Sequence, residues 1–367
     1  MEEKKELRQF VICFVATVLT FAVLFGGFII VVDPFYHYHD PYFNIPVILE
    51  NAVYQTAGAA KNLEYDSAIV GTSMTENMHT SWFDEELGWK TMKLSYSGAR
   101  SNDLKAIYEQ IAQKEGTLAH VVTDINTYQL TSESWTSYVE RPHYLYDEYL
   151  YNDGQYVYNH DVLLVSIRRS LDGLLGVQDN IDTAYTWEDE ELFGRDVTLR
   201  ASEDVRNSLI GGRAKDALLY EVTGSTSVSL EEKIKTCREN LDNVLPFMEA
   251  HPETEFWVMI PPYSMLYWEQ EILKGELEDM IAIYAYAIKS LLGYDNVKVF
   301  YFQNEPEIIT NLDNYRDSAH HTPRYNRYMF ECMKEGKNLL TYENYKQELE
   351  EMYRFARDFD YESLWAE

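Results

Sequence analysis

Two short stretches of this sequence carry side chains suited to covalent chemistry. The first is Gly71-Thr72-Ser73-Met74-Thr75, directly after the apolar run Ser67-Ala68-Ile69-Val70. A serine that leaves a strand end with its N–H near the next helix start can attack a carbonyl and help hold the resulting oxyanion. The second is Asp317-Ser318-Ala319-His320-His321. A serine nucleophile needs a neutral imidazole to take its proton and a carboxylate to orient that imidazole. Asp317 and His320 are spaced to meet within one turn. Read alone, a Gly-Thr-Ser turn is most often only a turn. An Asp near a His also serves structure or metal binding, and His321 competes with His320 for the base role, although adjacent side chains point in different directions.

Other chemistries leave no pattern. His37, His39, His320 and His321 are available with many carboxylates, but there is no HExxH, no EF-hand loop and no compact Asp/His cluster. Walker and dinucleotide fingerprints are absent, so no metal and no cofactor is expected. Of the three cysteines, Cys13 lies in an apolar run, and no CxxC pair occurs. Cys237 and Cys332 suit one disulfide in an oxidising compartment or two free thiols. A formal net charge of -30 excludes a nucleic-acid binder working through a general basic surface.

The elements that must position Ser73 and His320 follow from periodicity. Short apolar runs at 67–71, 92–95, 120–125, 256–260 and 297–302 predict strands. Helical spacing recurs at 102–114, at 280–292, and after Ser229, which with Glu232 forms a capping-box pattern. Strands separated by helices imply an α/β fold, a mostly parallel sheet covered on both faces. Residues 128–218 break this rhythm and read as an insertion or lid. Its tyrosines, notably within 131–158, suit either a binding surface or ordinary packing. The run Pro261-Pro262-Tyr263 to Trp268 follows a strand end, where Tyr263 and Trp268 are placed to shape a pocket or simply to pack. Asn77 and His79 are read as surface or helix-start residues, and 341–358 as an acidic amphipathic helix.

A chain of 367 residues suits one large domain with an insertion rather than three domains. Its N-terminus holds a further signal. Phe10 to Val32 is 23 uncharged residues, roughly 34 Å as a helix, enough to cross a bilayer core. Asp33-Pro34-Phe35 follows instead of a small-residue cleavage site, so an uncleaved anchor is expected. Lys4, Lys5 and Arg8 precede the run, and no Lys or Arg lies in the stretch just after it. The expectation is a cytoplasmic N-terminus and an extracytoplasmic main domain. Tyr36, Tyr38 and Tyr42 fit an interfacial aromatic belt or packing on the domain.

With YDSAIVGTSMTENM, LSYSGARSND and NYRDSAHHTPRYNRYM in this order, the chain resembles the SGNH (GDSL-type) hydrolase superfamily. The similarity is to its membrane-anchored bacterial branch, which includes D-alanyl-lipoteichoic acid biosynthesis proteins and alginate-type O-acetyltransferases. It spans roughly residues 60–335. The resemblance implies a three-layer α/β/α sandwich of flavodoxin-like type. It implies Ser73 as nucleophile, Asp317 and His320 as its partners, and Ser73 and Gly98 as oxyanion donors through their N–H groups. The sequence departs from the family in reading Gly-Thr-Ser for Gly-Asp-Ser. It also lacks Gly-x-Asn-Asp; Thr123-Asp124-Ile125-Asn126 stands near that place, with Asn126 as a third oxyanion donor. The implied activity is ester hydrolysis or O-acyl transfer on an acylated cell-envelope glycan or cell-wall polymer, with a multi-span membrane acyltransferase as a partner. The alternative is a non-catalytic glycan-binding or scaffold protein beside such an acyltransferase. The expected organisation is a tail at 1–9, a transmembrane helix at 10–32, a juxtamembrane segment at 33–60, the SGNH-like domain at 61–340 with an insertion at about 128–218, and a C-terminal helix and tail at 341–367.

Overall fold

The computed structural model describes residues 2–114, 116–211 and 228–366. The last residues of the expected insertion, 212–218, lie outside the described residues. The chain forms two compact units. One comprises Met1–Glu64, Gln110–Lys114 and Arg141–Ile181; the other comprises Tyr65–Glu109, Glu115–Glu140 and Asp182–Glu367. The segment expected as a single insertion is thus divided between them after Glu140 and again after Ile181.

The larger unit is built on one six-stranded sheet in the order β2-β1-β3-β4-β5-β6. The strands are β1 Ser67–Ile69, β2 Thr91–Lys93, β3 His120–Asp124, β4 Glu255–Ile260, β5 Val297–Tyr301 and β6 Leu339–Leu340. All pairings among β1 to β5 are parallel, and only β6 runs antiparallel, on β5. In β1 and β2 successive residues are all buried, as are nearly all in β3 and β4. That is why these strands read as continuous apolar runs rather than as alternation: a parallel sheet is covered on both faces. The cover comes from helices whose buried positions recur at helical spacing. In Leu277–Leu291 these include Leu277, Met280, Tyr284, Ala287 and Leu291; in Tyr345–Asp358 they are Tyr345, Leu349, Met352 and Ala356. Ser229 and Glu232 do form a reciprocal capping box at the start of the Leu230–Leu241 helix. The architecture is therefore α/β, a largely parallel sheet flanked by helices. Because five strands run the same way, their C-terminal ends share one edge, where open α/β sheets gather their functional loops.

The smaller unit contains a single N-terminal helix, Glu2–Val32, whose apolar part is long enough to cross a membrane. At its end Asp33 takes a positive φ of 42°, and its buried carboxylate accepts from Tyr156 Oη at 2.7 Å, Tyr38 N at 2.6 Å and His39 N at 3.0 Å. Tyr36 is buried here with its hydroxyl donating to Ile48 O, so it packs on the unit; Tyr42 is exposed beside His39.

Candidate active site

Ser73, Asp317 and His320 meet at the C-terminal edge of the sheet. The chain leaves β1, turns at Gly71, and starts the short Ser73–Glu76 helix with Thr72 as its N-cap. Asp124, at the end of neighbouring β3, holds this turn. Its Oδ1 accepts from Thr72 N at 2.8 Å and its Oδ2 from Thr72 Oγ1 at 2.9 Å. Gly71 is required by space: a Cβ there would lie 2.4 Å from Asp124 Oδ1 and 2.5 Å from Thr75 Oγ1. Asn326 Nδ2 donates to Met74 O at 2.7 Å and secures the far side of the helix.

The loop after β5 brings the other two groups. It is closed by the bridge between Tyr315 and His321 and by Arg316 N donating to His320 O at 3.0 Å. Ser264, after β4, grips it by donating from both N and Oγ to Ser318 O, at 3.0 and 2.9 Å. Asp317 Oδ1 accepts from Ala319 N and His320 N, and Oδ2 lies 2.7 Å from His320 Nδ1. Ser73 Oγ lies 2.8 Å from His320 Nε2. Burial works against ionisation of Asp317, but the neighbouring His320 and the N–H groups aimed at it hold its pKa down at about 2. An ionised carboxylate can only accept, so the proton sits on His320 Nδ1 and the Nε2 lone pair faces the serine hydroxyl. The His320 and Asp317 side chains are 32% and 33% exposed, which leaves solvent or a ligand access to the pair.

His321 is placed differently. It is buried, its Nδ1 faces Thr322 O at 3.3 Å, and burial pushes its pKa down to about 4. It holds no contact with Ser73 among the described bonds.

Gly98 adopts φ +74°, a conformation open to glycine, and a Cβ there would meet the Tyr138 ring at 2.4 Å. Asn126 is the N-cap of the Thr127–Thr131 helix in a capping box with Gln129. Its Nδ2 donates to Asp124 Oδ2 at 2.9 Å and Thr72 Oγ1 at 3.3 Å, so its amide supports the turn before Ser73. Tyr263 is buried and lines a cavity of about 490 Å³ together with Thr127, Tyr267, Ser318 and Ala319, the last two being the residues between Asp317 and His320. Trp268 is fully buried and is not among the residues lining this cavity.

Two supports had no sequence signal. Glu76 Oε2 accepts from Ser97 Oγ at 2.8 Å and from Trp187 Nε1 at 2.9 Å, tying the Ser73 helix to the turn that carries Gly98. Burial raises its pKa against the pull of those donors. Trp187 stands edge-on to the His320 ring at 5.7 Å, and its backbone N–H donates to Asn77 Oδ1. Asn77 is fully buried and is neither a surface nor a helix-start residue, whereas His79 does stand at a helix start, as the N-cap of Thr80–Leu87, and bridges Asp182 and Glu188. Glu76 lies inside the YDSAIVGTSMTENM stretch and Asp124 within the 120–125 run, but nothing local says which distant donors either carboxylate meets. Cys237 and Cys332 are both free and buried.

No protein-family model matches the chain, and no curated protein matches it. Among solved structures, one from Streptococcus pneumonia named for a platelet activating factor is similar over 78% of this chain and 90% of that chain, at 11% identity and a TM-score of 0.38. A likeness at that score carries no argument about activity.

Proposed function

We propose that this chain is a membrane-anchored serine esterase or O-acyltransferase of the SGNH type, acting on acyl esters of a cell-envelope glycan or polymer. The observation that carries the reading is the unbroken series Ser73 Oγ, His320 Nε2, His320 Nδ1, Asp317 Oδ2, with links of 2.8 and 2.7 Å. The strand order 2-1-3-4-5 within the sheet, a flavodoxin-like order, agrees with it.

His320 Nε2 takes the Ser73 proton as Oγ forms a bond to the acyl carbonyl carbon. The N–H groups of Ser73 and Gly98 hold the oxyanion, with Asn126 close behind the nucleophile turn. The tetrahedral centre collapses, the alcohol oxygen leaves with the proton from His320, and an acyl-serine remains. Water or a glycan hydroxyl, deprotonated by His320, then releases the acyl group as acid or as a new ester. The cavity beside Ser318 and Ala319 suits a hydroxyl-rich group: Thr127 Oγ1 lies 2.7 Å from Tyr267 Oη, and Lys233, Glu271 and Lys274 lie on its wall. The main domain is proposed to lie outside the cytoplasm, from the Lys4, Lys5 and Arg8 bias.

Covalent labelling with a fluorophosphonate, read by intact mass and peptide mapping, tests the nucleophile. Label on Ser73, lost in Ser73→Ala, is expected. A folded protein that takes no label, or equal label in Ser73→Ala, would sink the reading. Release of p-nitrophenol from p-nitrophenyl acetate, with and without a polyol acceptor, then separates transfer from hydrolysis.

A further inference from the structure

The anchor helix is not free along its whole apolar length. Phe25 stacks on Tyr158 at a centroid distance of 6.1 Å. At Gly26 a Cβ would lie 3.0 Å from Val157 Cγ1, so the missing side chain is what lets the Gly154–Val157 helix approach. Ile29 is fully buried in one cluster with Phe35, Tyr156, Val157 and Val162. These contacts lie well inside the Phe10–Val32 run. The part of that run below them, Phe10 to Leu24, is about 22 Å long at 1.5 Å per residue. A bilayer core is about 30 Å thick. Either the cytoplasmic end of the helix leaves the hydrocarbon short, or Val157, Tyr158 and the chain just beyond them stand at membrane depth.

The chain just beyond Tyr158 forms the His160–Leu175 helix, and the surface of that helix agrees with the second case. Val162, Ser166 and Arg169 face the unit and are buried. On the opposite arc, Leu164, Ile167, Leu171, Leu174 and Leu175 are exposed, Leu174 at 83% and Leu175 at 79%. At 100° per residue these five fall within about 100° of each other, an aliphatic stripe that runs from Leu164 to Leu175 with the width seen on interfacial helices, while the exposed His160 of the first turn lies on the same arc. Arg168 borders it, pairs with Glu50 and is itself exposed, as a residue reaching to headgroups would be. A stripe of this size facing water would be a liability for a soluble surface. Beside an anchor that already holds the unit at the bilayer, it has an apolar phase within reach. Asp33 fixes the depth, because its bond to Tyr156 clamps the end of the anchor to the segment that leads into this helix.

We propose that the His160–Leu175 helix is a second membrane element. It lies in the headgroup–acyl boundary of the leaflet from which the anchor emerges, with its leucine stripe in lipid. The inference rests on the anchor and not on the serine chemistry.

The test uses the full chain carrying Cys13→Ser, reconstituted in nanodiscs of phosphatidylglycerol and phosphatidylethanolamine, with a nitroxide on Leu171→Cys or Leu174→Cys. Both sites are exposed, so the label does not disturb the packing, and the buried Cys237 and Cys332 are left in place. Collision with oxygen relative to a nickel chelate is expected to be several-fold higher at both sites than at Lys235→Cys, a water-facing reference, and below that at Phe21→Cys, which lies deeper, at the middle of the anchor. A ratio equal to that of Lys235→Cys would overturn the proposal. So would loss of both collisions with dipolar broadening, which would mean that a second copy covers the stripe. A water-like ratio at Phe21→Cys would overturn the anchor and this inference together.

Discussion

In the proposed reaction His320 serves as a base only while its Nε2 lone pair faces Ser73, and the contact of Asp317 with Nδ1 favours that tautomer from the other side of the ring. Asp317→Asn keeps the size of the side chain but offers an N–H where an acceptor is needed. We expect it to lower kcat/KM on acyl esters by roughly 10⁴-fold with little change in Tm. Ser73→Ala is expected to remove covalent labelling altogether. Asp317, held down at about 2, stays ionised as pH falls from 7 to 4, so the acid limb of the activity profile does not belong to it. His321 has a separate acid effect. Its folded pKa is about 4, below the ordinary 6.5, because burial opposes its charge. The unfolded chain therefore binds a proton there first, and stability present above pH 6.5 is lost as pH falls towards 4. In His321→Gln the difference in unfolding free energy between pH 7 and pH 5 should shrink by about 2 kcal/mol, measured by urea titration.

At the scale of elements, the site is a product of two strand ends and the loops that follow them. Asp124 closes β3 and holds the turn after β1; Ser264 follows β4 and holds the loop after β5. Gly71→Ala probes the first of these joints. Its added methyl meets Asp124 and Thr75 too closely for the turn to survive unchanged. A cost of roughly 1–3 kcal/mol in urea unfolding is expected, as for an overpacked core, together with loss of fluorophosphonate labelling. Unchanged stability and labelling would show that the Asp124 clamp does not govern the nucleophile.

For the whole molecule, the N-terminal helix decides where the chain works. The full chain should stay in the membrane fraction through an alkaline carbonate wash, and a chain lacking residues 1–32 should not. In right-side-out vesicles, added protease should digest the domain after Asp33; protection would mean that the charge bias around the helix had been overruled. The acidic balance of the whole chain, 61 acidic against 31 basic residues, makes it repel other polyanions, so any polymer it meets at neutral pH is favoured when its own charge is low or positive.

Local periodicity alone located β1 to β5 to within a residue or two, because a buried parallel strand must be apolar throughout and its neighbours are helices with a different period. The anchor and the Ser229 cap were legible for the same reason: each is a contiguous pattern whose physics is complete within a few residues. β6 was not, since two residues carry no period. Nor was the division of the 128–218 segment after Glu140 and Ile181, which contacts between distant parts of the chain decide. Ser73 and the Asp317–His320 pair were legible as candidates, but nothing local says that they meet. Their contact joins residues 247 apart, and it depends on β1 and β5 running parallel so that both loops leave the same edge of the sheet. Glu76, Asp124 and Trp187 belong wholly to the tertiary structure. A buried carboxylate finds its donors wherever the fold brings them, and sequence spacing does not record that.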